Sequence, residues 1–193
     1  MTNNSRKLCL GLLLWMIGTS ALAQTGSNAE QGSNAERRFA LPDHGYFVIQ
    51  VPRDWKGQVH QPPNRLPPTI TLGPGAGKPF EVLMTPIWPA TTDRSPQSRE
   101  QIRASVEKAA QDAKAEAVER EIPVVEFQGR SGPGFYFSAT DRAPKPGEYK
   151  FLTQGILRVR DLTVTFAILT NDAQQSVVKQ ALDSLKTEVQ DGV

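Results

Sequence analysis

The segment Phe151-Leu152-Thr153-Gln154-Gly155-Ile156-Leu157-Arg158-Val159 decides the fold, together with Leu162-Thr163-Val164-Thr165-Phe166-Ala167-Ile168-Leu169 just beyond it. In the second half Leu162, Val164, Phe166 and Ile168 alternate with Thr163 and Thr165. Period-two alternation of this kind puts apolar groups on one face of a strand and β-branched polar groups on the other. In the first half apolar groups fall at odd and even positions alike, which predicts a central strand covered on both faces. Only Arg160 and Asp161 separate the halves, so a hairpin is forced. Neither residue is Gly or Asn, and a turn longer than two residues is expected for that reason. Phe135 to Thr140 is a third extended apolar segment, and the three together predict the antiparallel centre of one sheet.

Covers for that sheet are legible on both sides of it in the chain. Ser98 with Gln101 forms a capping box, and Pro96 precedes it where an amide donor is not needed. Ile102, Val106, Ala109, Ala110, Ala113 and Ala117 then fall on one helical stripe. Arg103, Glu107, Gln111, Lys114 and Glu116 face outward as a solvated surface, with Glu116 and Arg120 as an i,i+4 pair. A second helix is predicted from about Asp172 to Glu188, capped by Asn171 with Gln174, with Val177, Val178, Ala181, Leu182 and Leu185 on its apolar face. Further strands are expected at Tyr46–Val51, around Ile70 and Leu72, at Phe80–Thr85 and at Ile122–Phe127. Trp55 is expected in a turn as an apolar core anchor, and Pro62, Pro63, Pro67 and Pro68 make an extended loop. The expected fold class is α+β: an antiparallel sheet of six to seven strands sandwiched between two helices.

The N-terminal end is of another kind. Arg6 and Lys7 precede an apolar run from Leu8 to Ile17, and Ala21-Leu22-Ala23 is a small-residue cleavage signal before Gln24. The run is about half of what a membrane span needs, and Gln24 stands where a lipid anchor would need cysteine. Residues 1–23 are therefore expected to be a signal peptide, cleaved after Ala23, leaving a periplasmic or secreted chain with no membrane anchor. Residues 24–38 read as a solvated leader, with Gly26-Ser27-Asn28-Ala29-Glu30 repeated as Gly32-Ser33-Asn34-Ala35-Glu36. Residues 39–190 are expected to form a single domain. Cys9, the one cysteine, falls in the removed segment, so the mature chain has neither a disulfide nor a thiolate site. Removal of Arg6 and Lys7 leaves 20 basic residues against 20 acidic ones, so no basic field remains to recruit nucleic acid.

Gly73-Pro74-Gly75-Ala76-Gly77-Lys78 has Leu72 and Pro79 where a phosphate-binding loop needs Gly and Ser or Thr, and reads as a strand connection. His44 and His60 are the only imidazoles, both in loops near the start and without a second ligand at metal spacing. No nucleophile elbow is present. Asp141, Glu148 and Asp161 are ordinary turn residues. No catalytic, metal or cofactor-binding residue is assigned.

The order of pieces resembles the PsbP-like family, the extrinsic photosystem II subunits and their bacterial relatives. The matching residues are Gly45-Tyr46 leading to Val51-Pro52 and Trp55, Val82 to Pro86, the Ser98 helix, Phe135-Tyr136-Phe137-Ser138, and Gly147-Glu148-Tyr149-Lys150 leading into Phe151-Leu152-Thr153. The resemblance implies a non-enzymatic domain that binds another macromolecule or helps assemble one, and together with the export signal the expectation is a protein-binding or assembly module of the bacterial envelope. A small-ligand carrier and a hydrolase with an unrecognised site are the alternatives. The candidate partner-binding residues are Trp88, Tyr136, Arg142, Lys145 and Tyr149. They are singled out because Arg, Tyr and Trp anchor interfaces, and because Pro144 and Pro146 stiffen the loop from Asp141 to Tyr149.

Overall fold

A computed structural model describes residues 34–63, 66–77, 79–88 and 97–192. The signal segment, Cys9 and the first part of the leader lie outside the described residues. The strands are β1 Asn34–Leu41, β2 Gly45–Pro52, β3 Trp55–His60, β4 Thr69–Pro74, β5 Glu81–Ile87, β6 Val125–Gln128, β7 Pro133–Thr140, β8 Phe151–Val159, β9 Leu162–Thr170 and β10 Val189–Asp191. Helix α1 is Arg99–Ala113, and α2 is Gln175–Leu185 after a 3-10 turn at Asp172–Gln174.

Seven strands form an antiparallel sheet in the order β3-β4-β5-β9-β8-β7-β6. Its centre is the stretch singled out in the sequence: β8 and β9 pair from Phe151↔Thr170 to Val159↔Leu162. The hairpin loop is therefore two residues, Arg160 and Asp161, shorter than expected. Arg160 accommodates it by taking a left-handed φ of 54°, a region that side chains other than glycine seldom enter.

The two faces of this sheet bury against different partners, and β8 shows it residue by residue. Leu157 and Val159 join the cluster that contains Val177, Ala181 and Leu185 of α2, while Leu152 and Ile156 pack with Ile102, Val106 and Ala110 of α1. Successive residues of a strand point to opposite faces, so one helix covers each side, as the sequence predicted. The α2 side carries a layer that was not expected. A three-stranded sheet, β1-β2-β10, adds Phe39, Leu41, Phe47, Ile49 and Val51 to the same cluster. The fold is α+β, with two sheets rather than one.

Other departures have local causes. Residues 34–38, read as leader, are extended in β1 because their backbone pairs with β2 from Asn34↔Pro52 onward. Pairing needs no apolar side chain. Trp55 starts β3 rather than sitting in a turn, but it is buried against Phe80 as the anchor role requires. The capping box at Ser98 forms as expected. Helix α1 ends at Ala113, so Glu116 and Arg120 have no helix to bring them together. Ile122 is buried ahead of β6, which begins only at Val125. Asn171 caps the 3-10 turn with Gln174: its N–H donates to the Gln174 amide oxygen at 3.1 Å, and its side-chain oxygen also accepts from the Lys150 amide at 3.0 Å.

Glycines open the α2 face at two points, and aromatic rings fill them. Gly134 has Phe127 where a Cβ would stand, and Gly155 has the Phe166 ring and the Phe135 carbonyl there. Phe127 meets Tyr136 and Phe166 edge-on, with centroids 5.9 and 6.1 Å apart. Such edge-to-face contacts add to the burial of the rings themselves.

Candidate functional site

The end of the sheet formed by Thr140, Phe151 and Thr170 is where the chain builds concave surface. Past α1 the backbone turns and runs antiparallel to the end of β7: the Val118 amide donates to the Thr140 carbonyl at 2.8 Å, and the Arg142 amide to the Glu116 carbonyl at 2.9 Å. Ala117 and Asp141 form an isolated bridge in this segment. The Arg142 guanidinium then donates to the Ala117 carbonyl at 2.7 Å. Glu119 closes the arrangement, accepting from the Thr140 amide at 2.9 Å and the Thr140 hydroxyl at 2.6 Å. Burial acts to raise the Glu119 pKa, but these bonds outweigh it and hold the carboxylate below its usual range.

The loop Asp141–Lys150 closes on itself. The Asp141 amide donates to the Lys150 carbonyl at 2.8 Å, and the Ala143 amide to the Asp141 carboxylate at 2.8 Å. Gly147, at φ +90°, completes a turn in which the Glu148 amide donates to the Lys145 carbonyl at 3.0 Å.

Beneath this loop, on the α1 side, lies an open cleft of about 230 Å³. Ala113, Ala117, Ala139, Leu152 and Leu169 make its walls, with Phe151 at one edge. Glu116, Asp141, Tyr149 and Lys150 form its polar rim. The Tyr149 phenol is pushed above its ordinary value, first by burial and then by the charge of Glu81, so it stays a neutral donor. A second cleft of about 370 Å³ opens between β7–β8 and the start of α2. There the Ser138 and Thr153 hydroxyls lie 2.8 Å apart beside Glu119, Gln175 and Val178.

The five residues singled out in the sequence do not form one surface. Tyr149 lines the first cleft. Arg142 is turned inward to Ala117, and Lys145 sits in the loop turn beside Glu148, with Nζ 3.9 Å from its carboxylate. Tyr136 is half-buried on the α2 face against Phe127. Trp88 follows β5 at the other end of the sheet, where Ile87 pairs with Thr163, and it stacks on His44 at 4.4 Å. Sequence distance could not show that the end of β5, which Trp88 follows, lies at the opposite end of the sheet from the start of β8, which Tyr149 precedes. His60 ends β3 and is exposed.

Sequence reading missed Glu188. Its side chain is fully buried, and its two oxygens accept from the Arg130 and Ser131 amides at 3.1 and 2.7 Å. The bend between β6 and β7 is thereby tied to the segment joining α2 to β10. Burial outweighs those bonds and raises its pKa. No local pattern marks it, since its partners lie more than fifty residues away. Among the described residues, no group of three or more His, Cys, Asp or Glu could hold a metal ion, and no helix is long and apolar enough to cross a membrane.

The chain is an α+β sandwich with a small open cleft beneath the Asp141–Lys150 loop. The chain is similar in fold to cyanobacterial PsbP (CyanoP) from Synechocystis sp. PCC 6803. It matches that solution structure with a TM-score of 0.46 and 14% identity, over 83% of this chain and 94% of that one. No protein-family model and no curated protein matches the chain.

Proposed function

We propose that this chain is an exported, non-enzymatic docking module of the bacterial envelope, which holds a protein partner through the cleft beneath the Asp141–Lys150 loop. One observation carries the reading: an apolar cleft of about 230 Å³ stands open at the surface, under a loop containing Pro144 and Pro146. Small-molecule sites usually occupy about 300 to 1,000 Å³ and enclose their ligand. This cleft is smaller and has the scale of a pocket for one anchoring side chain, and a loop stiffened in advance loses little entropy on binding. Export is supported by the Leu8–Ile17 run and the Ala21-Leu22-Ala23 signal. The mature protein should therefore begin at Gln24 when its N-terminus is sequenced.

The docking test is site-specific photocrosslinking in cells. A crosslinking side chain at Tyr149 should trap one discrete species, and the same group at Val59, exposed on β3, should not. Leu169→Trp should abolish the product by filling the cleft, without lowering the thermal midpoint. Equal products at Tyr149 and Val59, or a product that survives Leu169→Trp, would refute the assignment.

The larger cleft beside Ser138 and Thr153 favours a second reading, a small-ligand carrier, because its volume of about 370 Å³ falls within the usual range for such sites. A metabolite that raises the thermal midpoint of the native chain, but not of Ser138→Val, would support it.

A further inference from the structure

The charges around the first cleft restrict what can dock there. Its lining residues include two carboxylates, Glu116 and Asp141, and one cation, Lys150. That cation is already engaged by Asp172 at 3.1 Å, and its ammonium lies over the Phe151 ring at 5.2 Å. The neighbouring cations are likewise turned to partners within the chain: Arg142 to the Ala117 carbonyl and Lys114 to Glu121 at 3.2 Å. Glu81 adds a negative charge felt at Tyr149. An apolar floor beneath an acidic rim disfavours an anionic visitor and favours a cationic one.

From this charge pattern we infer that the partner presents a large apolar side chain, aromatic by preference, immediately beside a basic group. The ring fills the space between Ala113, Ala117, Leu152 and Leu169, and the cation meets Glu116 and Asp141 at the mouth. Aromatic side chains supply the most contact area for the fewest frozen torsions, and exposed charge pairs contribute selectivity more than affinity. This inference rests on the docking reading above and adds the chemistry of the partner.

Three probes of nearly equal shape separate the two claims: phenethylammonium, 2-phenylethanol and 3-phenylpropionate, each titrated into the isotope-labelled mature chain while amide resonances are followed. All three should move the amides of Ala139, Leu152 and Leu169 saturably. Phenethylammonium should bind about fivefold tighter than 3-phenylpropionate, with the alcohol between, as expected for partly solvated charge pairs. The double variant Glu116→Gln, Asp141→Asn should collapse that order while leaving the shifts, since asparagine still accepts the bond from the Ala143 amide. Equal or reversed affinities in the native chain would overturn the basic-partner inference and leave the cleft as a docking site. Absence of shifts at those amides, or shifts that persist in Leu169→Trp, would overturn both.

Discussion

Glu119 is joined to Thr140 twice, through the amide and through the hydroxyl, although 21 residues separate them in the chain. The pair fixes the strand-like segment after α1 against the end of β7, and so shapes the clefts on both sides of β7–β8.

Glu119→Ala should lower stability by about 1 to 3 kcal/mol at neutral pH, since it leaves the Thr140 donors without their acceptor. The carboxylate's pKa is depressed in the fold, so its contribution is complete above the ordinary carboxylate range and lost as pH falls through the depressed value. Denaturant unfolding at pH 7 and pH 3 should therefore show a smaller gap between native and variant at the lower pH. A constant gap would refute the charged form of the bond.

Glu188 should behave in the opposite sense. Its folded pKa is raised, so its stabilising contribution is complete below the ordinary range and declines as pH rises through the raised value. Glu188→Gln keeps one acceptor and turns an amide donor toward a backbone N–H, so it should destabilise by about 1 to 3 kcal/mol. Thermal midpoints taken from pH 4 to pH 8 should show the variant's deficit widest in acid and narrowing above it.

Gly155→Ala should cost about 1 to 3 kcal/mol, because the added methyl meets the Phe135 carbonyl and the Phe166 ring in the centre of the sheet. Urea midpoints would measure it. The companion change Gly155→Ala, Phe166→Leu should recover part of the loss if the clash with the ring is its cause.

Arg160→Gly sets two effects against each other. Glycine relieves the left-handed φ of 54°, worth about 1 kcal/mol. It also deletes the bond from the guanidinium to the Gln190 carbonyl at 2.9 Å, which as a charged donor contributes about 1.5 to 3 kcal/mol. Glycine's unfolded-chain freedom adds to the loss. A net destabilisation of about 1 to 2 kcal/mol is expected, with faster amide exchange in β10, and a stabilised variant would show that strain dominates.

The sequence by itself determined the strands and helices whose burial follows a period. Leu162 to Ile168 alternate because one side of β9 faces α2, and the doubly apolar pattern of Phe151 to Val159 specified a strand with a helix on each side. Ser98 with Gln101 marked the start of α1, where neighbouring residues alone satisfy the free amides. What depends on contacts between distant residues was decided by the tertiary structure. Residues 34–38 of β1 and the short β10 carry little apolar signal, because backbone pairing with β2 holds them. Glu188 acquires its role from two amides that only the folded chain brings near. Trp88 and Tyr149 look like one binding surface in the sequence, yet strand order sends them to opposite ends of the sheet. Periodicity reports which side of an element is buried, and it carries no record of which neighbour does the burying.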